Sequence, residues 1–237
     1  MQQDDRLGPQ LPLALRYPPD QRFETWLGAP ATLAQLRALA SGEAGDALYL
    51  QGGSGSGKTH LLLAACAAAE AGGASANYLS LARVRGRARA ALQCIEQAGL
   101  VALDDLDAVA GYREDEIALF DLHNRVRDAG IGLLYAARDV PAALPLVLPD
   151  LRSRLAQCTL LALRALDDDG RTEVLRQRAA ARGLLFDEAA LEWLMRRHSR
   201  DLSDLGALFE RLDRASLAAQ RRLTVPFLKQ VLESAQS

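Results

Sequence analysis

The stretch Ala47-Leu48-Tyr49-Leu50-Gln51-Gly52-Gly53-Ser54-Gly55-Ser56-Gly57-Lys58-Thr59-His60 decides the fold. Its first four residues read as a short apolar strand, the middle as a glycine-rich turn, and residues 60–71 as a helix rich in Ala and Leu. Gly52, Gly57, Lys58 and Thr59 match G-x-x-x-x-G-K-[ST]. The glycines let the backbone curl so that N–H groups across Gly52, Gly53, Ser54, Gly55, Ser56 and Gly57 point at phosphate oxygens. The following helix turns its N-terminus toward the same anion. Lys58 is placed to reach the β- and γ-phosphates and Thr59 to ligate Mg²⁺, so the expected ligand is ATP or ADP with Mg²⁺. Lys58 and Lys229 are the only lysines, which marks Lys58 as chosen for a compact ammonium that arginine does not replace.

Working outward, Leu100-Val101-Ala102-Leu103 reads as a fully apolar strand that delivers Asp104 and Asp105 at its C-terminal end. By itself such a pair also suits the start of a solvated turn. After a phosphate loop, Asp104 is expected in the Mg²⁺ shell and Asp105 as the group that orients an attacking water.

The remaining chain alternates. Residues 30–41 are predicted as an amphipathic helix, 77–81 as a strand, 83–98 as a helix, 114–129 as a helix and 131–137 as a strand. This pattern predicts an α/β fold, a parallel sheet with helices on both faces. Beyond residue 163 only helical periodicity is legible, over 167–182, 187–198, 202–220 and 225–234, with Asp187 as an N-cap and Pro226 in a first turn. The expected organisation is a tail over 1–22, an αβα domain over 23–162 and a small all-α lid over 163–237.

Composition agrees. Of 237 residues, 49% are apolar, enough for a sizeable core. The net charge of −2 argues against a broad basic surface for nucleic acid. Cys66, Cys94 and Cys158 lack metal-ligand spacing and read as free thiols. The polar, proline-rich first twenty residues do not read as a signal sequence, and no apolar run is long enough for a membrane, so a soluble cytoplasmic protein is expected.

Residues 52–63 (GGSGSGKTHLLL) resemble the DnaA branch of the AAA+ ATPases, where GKTHL is characteristic, and residues 103–111 (LDDLDAVAG) resemble that branch's second acidic motif. Phe120-Asp121-Leu122-His123-Asn124-Arg125 fits the helix found just after it. Residues 212–216 (LDRAS) and 222–227 (RLTVPF) look most like the Hda-type, DnaA-related proteins, and the resemblance spans about residues 10–235. On this resemblance, a helix-turn-helix domain of the kind with which DnaA reads origin DNA is not expected.

This resemblance implies further roles. Gln10-Leu11-Pro12-Leu13-Ala14-Leu15 is similar to an N-terminal motif for the DNA polymerase sliding clamp (β subunit), with Gln10, Leu11, Leu13 and Leu15 as contacts. A short extended peptide docks in this way without folding first. The other reading of these leucines is packing on their own domain. Arg154 matches the family's arginine finger, which stabilises transferring charge in a neighbour's site, where a plain salt bridge is the alternative. Two positions depart from the family. Arg138 stands where a small polar or acidic sensor is expected, and Ser203 where a lid sensor arginine is expected, with Arg200 one turn earlier as a substitute that would touch the nucleotide.

The implied function is negative regulation of replication initiation. Clamp-bound protein in its ADP form would stimulate ATP hydrolysis by DnaA, touching DNA only indirectly or weakly, and could self-associate. The alternatives are a self-sufficient ATPase of the helicase-loader type and a non-catalytic nucleotide-gated adaptor.

Overall fold

A computed structural model describes residues 17–18, 20–45, 47–93, 95, 98–181, 183–184, 186–197, 211–212, 214–215 and 223–233. Five strands form one parallel sheet: β1 Leu48–Gln51, β2 Ala76–Ser80, β3 Leu100–Asp104, β4 Gly132–Ala137 and β5 Thr159–Ala162. Their spatial order is β2-β3-β4-β1-β5. The predicted α/β class therefore holds. β3 and β4 are buried along their whole length, which is why both read as unbroken apolar runs rather than alternating ones.

The period-2 geometry of a strand splits those runs between two cores. Tyr49, Val101, Leu103, Leu133 and Tyr135 face one side. There they meet α3 (Ala88–Gln93), α4 (Arg113–Asp128) and α5 (Pro149–Ala156). Leu48, Leu50, Leu100, Ala102, Leu134 and Ala136 face the other, against α1 (Pro30–Ala40) and α2 (Lys58–Ala71). A third core, around Leu175, Leu191, Leu194 and Leu228, belongs to the lid and draws on α6 (Asp168–Ala181), α7 (Glu188–Arg197) and α8 (Val225–Glu233).

The structure departs from the sequence expectations in several places. The helix predicted over 83–98 is broken: a 3-10 turn covers Leu81–Val84, Gly86 turns the chain at φ +80°, and α3 spans only Ala88–Gln93. Asp115 explains the break, because its buried carboxylate accepts the N–H groups of Gly86 (2.6 Å) and Ala88 (3.0 Å). β5 and α5 were not anticipated, since both are too short for periodicity to show. The lid is not strand-free in its pairing, for Phe186 and Leu223 form an isolated parallel bridge. Residues at the end of the expected tail belong to the fold. Tyr17 packs on the α2 side and donates to Glu70 at 3.2 Å, and Asp20 is buried. Most of the helix expected over 202–220 lies outside the described residues. Among the described residues no helix is long and apolar enough to cross a membrane.

Candidate functional site

Parallel strands end together, so the loops after β1, β3 and β4 meet at one edge of the sheet. There the glycine loop runs from β1 into α2. Gly57, at φ +89°, precedes Lys58, the first residue of α2. Two constraints fix glycine at 57: the left-handed backbone, and the indole of Trp26, which a Cβ would approach to 2.4 Å. Lys58 Nζ donates to the carbonyls of Gly52 (2.6 Å) and Gly53 (2.9 Å). Burial lowers its pKa, while the nearby Asp104 and Asp107 carboxylates act in the opposite sense.

Thr59 Oγ1 donates to Asp104 Oδ2 at 2.6 Å. The two groups expected to share a divalent cation are therefore already adjacent, brought together from α2 and β3. Asp104 also accepts from the Tyr78 hydroxyl (3.1 Å) and from the Asp105 backbone N–H (2.9 Å). Burial nevertheless raises its pKa; the Thr59 hydrogen bond lowers it and the neighbouring Asp105 raises it further. Asp105 sits in the left-handed region at φ 57° and accepts from Ser80 Oγ at 2.7 Å.

Next to these groups lies a cavity of about 430 Å³. Its floor is the loop Ser54 to Lys58 with Thr59, one wall carries Asp105, Asp107 and Arg138, and Leu166 and Val174 close it from the lid. The opposite wall was missed in the sequence. It is the strap before α1, with Gln21, Thr25, Trp26 and Leu27. The only available signal was a scarce tryptophan beside Phe23, which periodicity does not interpret. Tyr78 and Ser80, which hold the two aspartates, were also missed. Arg138, the departing sensor, places its backbone N–H 3.0 Å from Asp107 Oδ1 and its Nε 3.9 Å from Oδ2.

The residues present fit a magnesium nucleotide. Among the described residues, Gln21 Oε1, Trp26 Nε1 and Ser56 Oγ are buried without a hydrogen-bond partner, and all three residues line this cavity. Buried polar atoms left unpaired in a native fold call for a polar ligand. The loop amides and Lys58 would face its phosphates, and Thr59 with Asp104 would hold the cation.

Arg154 lies elsewhere. It shares a small cleft of about 70 Å³ with His123, Arg127, Gln157, Ala47 and Leu133. Ala47, Leu133 and Cys158, which also borders it, sit at the starts of β1, β4 and β5. This is the sheet edge opposite the nucleotide cavity, a separation on the order of 15 Å for strands of this length. α5 is fixed there by Glu116, whose buried carboxylate accepts the N–H groups of Gly111, Val147 and Leu148 at 2.7–3.1 Å. Gln10, Leu11, Leu13, Leu15, Arg200 and Ser203 lie outside the described residues, as does Cys94; Cys66 and Cys158 are free and buried.

A parallel sheet in this strand order, with a glycine loop after β1, an acidic pair after β3 and a helical lid, defines an AAA+ P-loop domain. Comparison with known proteins narrows the class. Residues 168–232 match the family described as the lid domain of Hda. A relative from Haemophilus influenzae, described as an uncharacterized protein, is 38% identical over 226 residues, covering 94% of this chain and 98% of that one. Among solved structures, domain III of the Thermotoga maritima replication initiation protein DnaA superposes with a TM-score of 0.72 at 18% identity, over 91% of this chain and 97% of that one. AMPPCP-bound DnaA from Aquifex aeolicus gives a TM-score of 0.62 at 21% identity, over 82% of this chain and 65% of that one. The chain belongs to the Hda-type, DnaA-related AAA+ proteins.

Proposed function

We propose that the chain binds ADP or ATP with Mg²⁺ and restrains replication initiation by stimulating ATP hydrolysis on DnaA. In this reading Gln10, Leu11, Leu13 and Leu15 dock on the DNA sliding clamp, and the ADP form presents Arg154 to ATP held by DnaA. The observation that carries the reading is the location of Arg154 at the sheet edge away from its own nucleotide cavity. A guanidinium there has no route to the phosphates of its own chain but is open to a neighbour's. Nucleotide binding draws further support from the Thr59–Asp104 contact and from the DnaA structure carrying AMPPCP.

Intrinsic hydrolysis is expected to be slow. Arg138 carries donors only, so its side chain accepts no hydrogen bond from an attacking water, and its guanidinium is drawn toward Asp107. The site would then store nucleotide as a conformational signal. The intact Asp104–Asp105 pair favours a second reading, a self-sufficient ATPase.

One assay separates them: ATP turnover by DnaA, with and without this protein on clamp-loaded DNA, beside turnover by the protein alone. Stimulation that requires the clamp and is lost when Gln10, Leu11 and Leu13 become Ala supports the regulator. Turnover near ~1 s⁻¹ by the protein alone, abolished by Asp105→Asn, supports the self-sufficient ATPase instead.

A further inference from the structure

The cleft that holds Arg154 contains a second guanidinium that no motif marks. Arg127 lies in the last turn of α4 and Arg154 in the last turn of α5. Both helices end at this cleft, and their C-terminal carbonyls favour cations at those positions. Both arginines also lie within electrostatic reach of one imidazole, His123, which stacks on Tyr135 with its Nδ1 3.1 Å from the tyrosine hydroxyl. Burial first, and then Arg154 and Arg127, push the His123 pKa down to about 4, so the ring is neutral at physiological pH and adds no third charge.

Charge compensation is missing. Among the described residues no carboxylate ion-pairs with Arg127 or Arg154, whereas Arg89, Arg138, Arg171, Arg176 and Arg196 each find at least one. The polar partner of Arg127 is neutral, Gln157 Oε1 at 3.5 Å. Arg127 is exposed and Arg154 half-buried, so both are reachable from outside. Two like charges in one cleft repel each other, and a polyanion relieves that repulsion. The planar guanidinium fork suits phosphate oxygens.

We propose that Arg127 and Arg154 form one two-pronged cation site for the terminal phosphate of a nucleoside triphosphate carried by a second AAA+ chain. Arg127 is the second phosphate-binding group. The inference rests on the reading of Arg154 given above and extends it to a residue that sequence motifs do not mark. It also limits the ligand: the γ-phosphate of a triphosphate provides oxygens for two forks, and a diphosphate has no γ-phosphate for both to share.

The test compares wild type, Arg154→Ala, Arg127→Ala, Arg127→Lys and Gln157→Ala in stimulation of ATP hydrolysis by DnaA on clamp-loaded DNA. Own-nucleotide affinity and melting temperature serve as controls for folding. Arg127→Ala is expected to lower stimulation about tenfold, the scale of one charge-assisted hydrogen bond. Arg127→Lys should be intermediate, restoring the charge without the fork. Gln157→Ala should match wild type, since a purely structural Arg127 would act through that contact. The Arg127→Ala variant should also lose preference for DnaA loaded with AMPPCP over DnaA loaded with ADP. If the phosphate comes from a second copy of this chain, turnover of the protein alone rises with its concentration, and Arg127→Ala abolishes the rise. Wild-type behaviour of Arg127→Ala in both assays, with Arg154→Ala inactive, overturns the second prong and leaves the first standing. Failure of wild type itself to stimulate any AAA+ partner overturns the underlying reading and this inference with it.

Discussion

At the C-terminal edge of the sheet, anionic side chains converge with a glycine loop and one lysine. Asp104, Asp105 and Asp107 stand within a few residues of each other, and Asp104 is buried at a cost. At the N-terminal edge the signs reverse: two arginines share a cleft with a neutral histidine and no described carboxylate pairs with them. On the reading proposed above, a single parallel sheet offers a site for a cation with a nucleotide at one end and a site for an anion at the other. The difference then teaches how the two halves of a phosphoryl-transfer centre would be divided between two chains. Each edge completes what the other lacks, provided that two chains meet edge to edge.

The largest expected effect comes from cutting the anionic partner's contact. Arg154→Ala should leave nucleotide affinity unchanged and reduce stimulation of DnaA by ~10³-fold or more, the range typical for loss of an arginine finger. Stopped-flow or steady-state phosphate release measures it. A parallel loss of the chain's own nucleotide affinity would break the comparison, because it would place Arg154 in reach of its own cavity.

The next effect uses pH. His123 is buried and its pKa is held at about 4, below the ordinary 6.5, chiefly by desolvation and also by Arg154 and Arg127. Above pH 6.5 folded and unfolded chains are both neutral at this residue. As pH falls from 6.5 to 4 the unfolded chain takes up a proton and the folded chain does not, so stability is lost across that window. The loss at this one group is about 3 kcal/mol. Urea unfolding at pH 7 and pH 4.5 for wild type and His123→Phe checks it. The variant should lose less stability over this range, and an equal loss would show that other groups govern the pH response.

A smaller effect is expected at the other edge. Lys58→Ala should weaken nucleotide binding by roughly 30-fold, the scale of removing a charged donor from phosphate oxygens. Isothermal titration with ADP reads it directly. Stimulation of DnaA should fall only through the lost nucleotide, and saturating ADP should restore it.

These contrasts also show what the sequence made legible. The phosphate loop and the acidic pair were readable because each is a contiguous motif on a strand with an unbroken apolar run. Arg154 was singled out only by resemblance, because its place at the N-terminal edge depends on Glu116 anchoring the loop that starts α5, a contact between residues about thirty apart. Trp26 escaped because its role lies in packing on Gly57, which no spacing rule encodes. Arg127 escaped because an arginine near a helix C-terminus reads as ordinary surface charge until the partner cleft is seen. The helix predicted over 83–98 failed because Asp115, on another helix, captures the backbone N–H groups at Gly86 and Ala88. Local periodicity carries no information about such a distant acceptor.

The smallest effect concerns Asp104 and sharpens the comparison at its anionic side. A carboxylate whose pKa burial has raised above its ordinary 3.8 loses its proton more readily in the unfolded chain than in the folded one. As pH rises through that window the folded state is disfavoured. Asp104→Asn removes the charge and so removes the penalty. Against this stand the three donors that Asp104 satisfies, Thr59 Oγ1, Tyr78 OH and the Asp105 N–H. Asparagine keeps one carbonyl oxygen for them, and the Thr59 hydroxyl can turn to accept from the new amide. Burial is the main reason the carboxyl holds its proton, so removing the charge is expected to outweigh the weakened bonds. The variant without nucleotide should therefore gain about 1 kcal/mol, the usual yield of relieving a functional site of its strain. The gain should shrink as pH approaches 4, and the Mg²⁺ dependence of nucleotide affinity should disappear. Thermal unfolding at pH 7 and pH 4.5, with ADP titrations in Mg²⁺ and in EDTA, provides both readings. A less stable variant that keeps its Mg²⁺ dependence would mean that Asp104 is there to hold three hydroxyl and amide donors in place, and the two edges would then differ in packing rather than in the charge they are built to receive.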